Sequence, residues 1–496
     1  MIRFWQKQVL TISWFRKLLP LLLGLIICQT LAVIHLYYVT RTQLSRFHEI
    51  SRANEIFIPG YTALTHSSGA IAIFKSALLI TMSLGVGISL ITIFVLYAAR
   101  TPGIFWKVVC YSSFPIWIYC LYLLNSVSIC WFSSSYFLII PIFIWFLDRK
   151  IPGEPIGYNL YPFNRFQLII ALLISATWVG FYDNSSLVSI RDHLLLSNSV
   201  GEKLSDYYYD NSFLVAAAIQ SQKQKPVKTY YLTSEVEPSL KREIDAVLTS
   251  LSYLKVSQSA ISDLIISSNG TSMGFSTPIK QMTSVSIPDF RANPAEALRD
   301  FSDKGDYYKF FRLALFISLL VTVPICCTLL LYLALMMVLQ KLMTPNRAIQ
   351  AATLITGLIL LFTSYKLRPY SQPSYNISNP TQGLSSANQM ERIAALKDII
   401  RQKADINKFG SYNNLLHSQY TADRLWLATA LAHVHHPKAT SELTGLLNDP
   451  SPNVVCKAML SLGQRGDVIA AGLMANIIKT TTSLYPQQCA YLSLQN

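Results

Sequence analysis

The sequence predicts a polytopic α-helical membrane protein of about seven spans, with an extramembrane α+β domain and a C-terminal α-solenoid. Three observations predict it. Of 496 residues, 52% are apolar and 14% charged, and the mean hydropathy is +0.36, whereas a soluble domain carries roughly a quarter charged residues. Apolar stretches long enough to cross a bilayer recur along the chain. The last hundred or so residues show a helical pattern that repeats at a period near 30 residues.

About 20 mostly apolar residues cross the hydrocarbon core as a helix. Stretches of this kind lie at 18–39, 72–98, 105–124, 127–147, 166–182, 312–339 and 348–365. The first follows Arg3, Lys7, Arg16 and Lys17 and exceeds a usual signal-peptide core, so it is expected to be an uncleaved anchor. If the N-terminus is cytoplasmic, the inner loops hold those four residues with Arg100, Arg149, Lys150, Arg165, Lys341 and Arg347. The outer loop at 40–70 holds Arg41, Arg46 and Arg52. This asymmetry favours an inside N-terminus, with both large extramembrane regions outside. A bacterial inner membrane with periplasmic domains is the expected setting.

The charge distribution excludes several classes. Lys and Arg outnumber Asp and Glu by 13 to 4 over residues 1–182 and by 3 to 0 over 311–365. Over 183–310 the balance is 13 to 15, and over 366–496 it is 12 to 7. The basic surplus therefore flanks apolar segments, with no Lys/Arg block interleaved with aromatics, and no nucleic-acid partner is expected. The seven apolar cores contain no Asp or Glu, which argues against a proton relay or an ion-coupled transporter. His35 is expected to hydrogen-bond a neighbouring helix, and Lys75 to reach the interface. A lone core histidine cannot supply the pair a b-type haem needs. Gly85 and Gly87, in GVGISL, fit close helix packing. No metal site or cofactor is expected.

Residues 183–310 become polar and rich in Ser and Tyr. LVSIRDHLLL and FLVAAAIQ read as helices separated by the polar run NSVGEKLSDYYYDNS. PSLKREIDAVLTSL reads as an amphipathic helix with Leu240, Ile244, Val247, Leu248 and Leu251 on one face. KTYYL, YLKVS, DLIIS and TSVSI read as strands, with a hairpin turn at Ser268-Asn269-Gly270. The region carries no GxSxG or HExxH pattern. Tyr207, Tyr208, Tyr209 and, further on, Trp426 are the candidate partner-binding residues, because a large ring buries area while keeping a polar handle.

Residues 366–390 have the Ser/Asn/Pro/Gln composition of a linker, and helical repeats follow over 391–496. Leu443 and Leu446-Leu447 match Leu473 and Asn476-Ile477 at an offset of 30, and CKAMLSLGQ (Cys456–Gln464) is echoed by QCAYLSLQN (Gln488–Asn496) at an offset of 32. The stretch LLNDPSPNVVCKAMLSLGQRGD resembles HEAT-type, armadillo-like repeats, which typically show Leu-Leu, Asp-Pro, a Val-Arg pair and Leu-Gly. Val455 stands where that pattern has Arg, which weakens the charge ladder between repeats. The resemblance implies stacked helix pairs serving as a protein-binding platform.

The eight cysteines show no CxxC spacing, and they read as buried small side chains rather than a disulfide framework. His433, His435 and His436 read as a helix end beside Pro437.

A non-enzymatic membrane scaffold or assembly subunit is therefore the leading expectation, held in a complex and contacting membrane lipids and protein partners. A channel or transporter component is the second reading, its path lined by Ser112, Ser113, Asn125, Ser126 and Ser133 to Ser135. An interfacial lipid-modifying enzyme is the third, drawing on Glu49, Glu55, Asp148, Glu154 and Asp183.

Overall fold

The computed structural model describes residues 2–54, 61, 64–65, 68–150, 188, 191–225, 227–278, 281–367, 380–434, 436–481 and 483–495. Among them, five helices are long and apolar enough to cross a membrane. The first lies within α1 (Ile2–Asn54) and the others are α2 (Ala70–Arg100), α3 (Ile104–Leu124), α4 (Trp131–Lys150) and α9 (Lys309–Leu339). The expected span at 166–182 lies outside the described residues. The expected span at 348–365 falls in helix α10 (Pro345–Leu367), whose apolar run is the shorter Arg347–Ile359.

Helix α1 carries the first part of the expected outer loop at 40–70, so that part is helical. It continues unbroken to Asn54, because Leu44, Phe47 and Ile50 keep an apolar stripe at helical spacing that other elements cover. Its 53 residues make a rod of about 80 Å at 1.5 Å per residue.

Small residues bring the long apolar helices together. A Cβ on Gly85 would lie 2.6 Å from Cys28 Sγ on α1, and one on Gly87 would lie 2.1 Å from Ser318 Oγ on α9. A π-turn at Thr81–Gly85 interrupts α2. There the Ser318 hydroxyl donates to the Ser83 carbonyl at 2.8 Å, and Thr81 Oγ1 donates to Gln29 Oε1 at 2.7 Å. His35 is fully buried, stacked on Phe132, with its ring nitrogens 3.3 Å from the Tyr136 hydroxyl and 3.4 Å from that of Tyr308. At the far end of the bundle Arg100 of α2 forms a bidentate pair with Asp148 of α4.

Helix α5 (Ser199–Ile219) replaces the expected helix–polar run–helix. The DYYYD run is helical because Asn198 caps it, accepting from the Gly201 amide at 2.8 Å, and because its polar side has a partner, described below. The RDHLL segment forms a π-turn, and most of the expected helix before it lies outside the described residues.

The sheet runs in the order β2-β1-β3-β4-β5, comprising β1 (Lys228–Leu232), β2 (Tyr253–Lys255), β3 (Leu264–Ser268), β4 (Ser272–Ser276) and β5 (Gln281–Ser286). β1 is parallel to β2 and β3, and β3, β4 and β5 are antiparallel in turn. Helices α6 (Pro238–Ser250), α7 (Ile287–Ala292) and α8 (Pro294–Lys304) supply Ile244, Leu248, Phe290 and Phe301 to a core with Tyr230, Ile266, Met273 and Phe275. The hairpin turn holds Gly270 at φ +91°, but its second arm is SMGFS, a strand absent from the sequence expectation.

The C-terminal region contains α11 (Pro380–Leu384), α12 (Gln389–Arg401), α13 (Thr421–Leu431), α14 (Pro437–Leu446), α15 (Pro452–Arg465), α16 (Val468–Thr480) and α17 (Leu484–Gln495). Helix α10 runs to Leu367 and α11 begins at Pro380, so the expected linker at 366–390 is helical at both ends. Helices α12, α13, α15 and α17 stack side by side around one core that includes Leu396, Leu427, Val454 and Ala490. His436 caps α14, its Nδ1 accepting from the Lys438 amide at 3.1 Å.

Candidate functional site: the repeat stack and its two docks

The repeat stack is tied together at a fixed step. Arg392, Arg424 and Cys456 stand 32 residues apart on α12, α13 and α15. Arg392 reaches Asp423 of α13 through Nε at 3.0 Å and Nη2 at 2.7 Å. Arg424 reaches Asp449 at 2.6 Å and 3.1 Å. At the third position the tie is covalent, a disulfide joining Cys456 to Cys489 of α17. This corrects the reading of those two cysteines as unpaired. The 32-residue echo of CKAMLSLGQ in QCAYLSLQN puts them on adjacent stacked helices, in reach of each other. The charge ladder is present too, displaced one residue from Val455.

Helix α5 crosses the N-terminal ends of three stacked helices at the same step. Glu202 accepts from Thr421 Oγ1 at 2.6 Å, Ser205 Oγ lies 3.3 Å from Asn453 Nδ2, and Tyr209 stacks on Tyr485 at 4.7 Å. Thr421, Asn453 and Tyr485 are 32 residues apart, and residues 202, 205 and 209 share one face of α5. Phe213 adds a second ring against Tyr485 at 5.3 Å. Burial, followed by the neighbouring Tyr209, pushes the Tyr485 hydroxyl well above its ordinary pKa.

Just before α5, fully buried Asp192 pins its segment to the stack. Its carboxylate accepts from Trp426 Nε1 at 2.8 Å and Lys397 Nζ at 2.9 Å, and it pairs with Arg191. The Lys397 ammonium also sits 4.6 Å over the Trp426 ring. Leu196 completes the dock inside the repeat core.

The lower half of α5 belongs to the apolar helix bundle. Leu214, Val215, Ala218 and Ile219 join one buried cluster with Cys28, Ile73, Ala77 and Phe311. Gln43 of α1 donates to the Ala217 carbonyl at 2.8 Å, and Arg312 of α9 to the Ile219 carbonyl at 2.6 Å. The repeat stack is thereby fixed to the end of the bundle where α1 leaves and α9 enters.

The sheet domain docks at that same end through buried Asp263. Its carboxylate accepts from Arg46 of α1, from Lys225 Nζ at 2.5 Å, and from the Thr229 amide and hydroxyl at 3.0 Å each. Arg46 also donates to the Ile261 carbonyl at 2.9 Å. Burial alone would raise this carboxyl, but the Lys225 and Arg46 charges beside it hold it well below the usual carboxylate range. Ile50 of α1 packs against Val256 and Ile261 around this hub.

The four candidate partner-binding residues thus divide. Tyr209 and Trp426 are engaged within the chain, while Tyr207 and Tyr208 remain 40% and 48% exposed on α5. Sequence reasoning did not find the docking roles of Asp192, Asp263 and Arg46, because isolated charges on polar segments carry no spacing signal. The residues proposed to line a path bond within their own helix or between the ends of α3 and α4. Ser112 and Ser113 donate to carbonyls of their own helix, and Asn125 meets Ser134 at 2.9 Å. Among the interfacial acids, Asp148 is paired with Arg100 and Glu49 is exposed on α1. Glu55, Glu154 and Asp183 lie outside the described residues.

Residues 413–495 match the HEAT repeats family, in agreement with the resemblance read from LLNDPSPNVVCKAMLSLGQRGD. No curated protein and no solved structure matches the chain. HEAT repeats stack into elongated surfaces that commonly bind other proteins.

Proposed function

We propose that this chain is a non-enzymatic membrane scaffold or assembly subunit that holds a small sheet domain and a HEAT-repeat platform side by side on one face of a membrane. The observation that carries the reading is the shared dock. The Asp263 hub and the α5 seam fix both domains to the same end of one apolar helix bundle. A platform held by several independent ties to its base suits presentation of a surface to partners.

Seven crossings fit this arrangement. Helix α10 starts against the far end of α9, where Tyr332 and Met336 meet Ala348 and Ala352, whereas the repeats after it dock at the opposite end. Likewise α4 finishes at the Arg100–Asp148 end, and the segment that starts at Arg191 docks at the other. With the basic residues inside, the N-terminus is cytoplasmic and both domains are periplasmic. The Cys456–Cys489 bond supports this side, since disulfides persist in oxidising compartments.

A reporter fused after Asn496 and active on only one side of the membrane tests the topology. A cytoplasmic signal would overturn it. Isolation in mild detergent tests the scaffold role, where stoichiometric protein partners are expected and recovery as a lone monomer would count against it.

A further inference from the structure

We infer that the upper half of α5 is a bilayer-contact surface, its exposed apolar stripe seated in the interfacial layer of the membrane. The inference rests on the reading of the helix bundle as membrane-spanning. Val200, Leu204, Tyr207, Asn211, Val215 and Ala218 recur at spacings of three and four, so they form one continuous face of the helix. The lower part of that face, Val215 and Ala218, is buried against the membrane helices. The upper part is open, with Val200 76%, Leu204 59% and Tyr207 40% exposed. Tyr208 lies along its edge.

The opposite face is already taken by the repeat stack, through Glu202, Ser205 and Tyr209. Two of the helix's acids, Glu202 and Asp206, lie on that side by their spacing, and the stripe itself carries no acid. A helix that is apolar on one face, polar on the other and bears tyrosines at the boundary has the form that lies in a membrane interface. Continuity with the bundle selects lipid as the occupant, since α5 packs against α1 and α2, which themselves expose Tyr37, Tyr38, Ile71 and Phe74.

The test uses the full chain in lipid nanodiscs, with an environment-sensitive fluorescent amino acid placed at position 204 in one sample and at position 116 in another. Ile116 is 60% exposed on α3, within an expected span. Lipids brominated along the upper acyl chain are the quencher. Loss of emission at both positions is the expected result. Quenching at 116 without quenching at 204 overturns the interfacial role of α5 and leaves the membrane reading standing, which is the outcome if a protein partner covers the stripe. Absence of quenching at both positions overturns the membrane reading and this inference together. A second chain carrying Leu204→Glu should show native pairing of Tyr209 with Tyr485 by cross-linking, while a companion probe at 200 loses its quenching. Retained quenching at 200 would also count against the stripe as a lipid contact.

Discussion

The sheet domain and the repeat stack are docked to the same end of the bundle by opposite strategies. The sheet domain is held at one point, where Asp263 gathers Arg46, Lys225 and Thr229 into a buried hub. The stack is held along a line, where α5 meets equivalent positions of three successive repeats. A point contact concentrates the free energy in a single charge and fails as a unit. A distributed seam loses strength in steps, since each repeat interacts chiefly with its neighbours.

The largest expected effect comes from breaking the point. Asp263→Ala leaves Arg46 and Lys225 facing each other without their carboxylate, and removing one partner of a buried pair costs about 3–5 kcal/mol. Hydrogen exchange should show the sheet domain detached from α1 while protection in the repeats is retained. If protection in the repeats fell equally, the two docks would be one cooperative unit and the contrast would be void.

Removing the covalent tie should come next. The Cys456–Cys489 bond closes a loop with a sequence separation of 33, for which chain entropy predicts about 3–4 kcal/mol. Replacing both cysteines by serine should lower protection in α16 and α17 first, with α12 and α13 little changed. A uniform loss across the stack would contradict the quasi-linear picture.

Smaller effects are expected along the seam. Tyr209→Ala removes an aromatic pair worth about 0.5–1.5 kcal/mol beyond its buried area. Trp426→Phe keeps the ring but strips the hydrogen bond to Asp192, leaving a buried acceptor short of one donor at about 1–3 kcal/mol. Each alone should loosen α5 without releasing it, and the pair should be nearly additive, which a double-mutant cycle measures.

The pH response sharpens the contrast further. The Asp263 carboxyl titrates lower in the folded protein than in the unfolded chain. Its contribution is therefore fully present above the unfolded value of about 4 and is lost as the pH falls below it. Exchange protection of the sheet domain should hold from neutral pH to about 5 and decline only in stronger acid. Asp263→Asn should abolish that acid-dependent decline.

The legible parts of this molecule are those with long or periodic signals. Apolar runs of span length and the echo of CKAMLSLGQ in QCAYLSLQN are written over many residues, and the helices and repeats follow them. The α5 helix was hidden because DYYYD is polar where it faces the repeats, so its stripe is diluted to one apolar residue per turn. Strand β4 was hidden because SMGFS buries only Met273 and Phe275, too few for a period to show. The extension of α1 looked like a loop because its apolar side serves a partner distant in sequence. The charged contacts of the docks join segments up to 234 residues apart, which only the fold brings together.

The π-turn at Thr81–Gly85 gives α2 the character of a coupling with a fixed phase. Above it, Ala70–Ile80 carries α5 and with it the repeats, while below it Val86–Arg100 is keyed to α3 and α4. A helix advances about 100° per residue, so the extra residue in that turn sets which face of Ala70–Ile80 meets α5 relative to the face that Val86–Arg100 turns to α3 and α4. Deleting one residue there would turn the α5-bearing face of α2 away by that angle, while Gln43 of α1 and Arg312 of α9 still hold α5 in place.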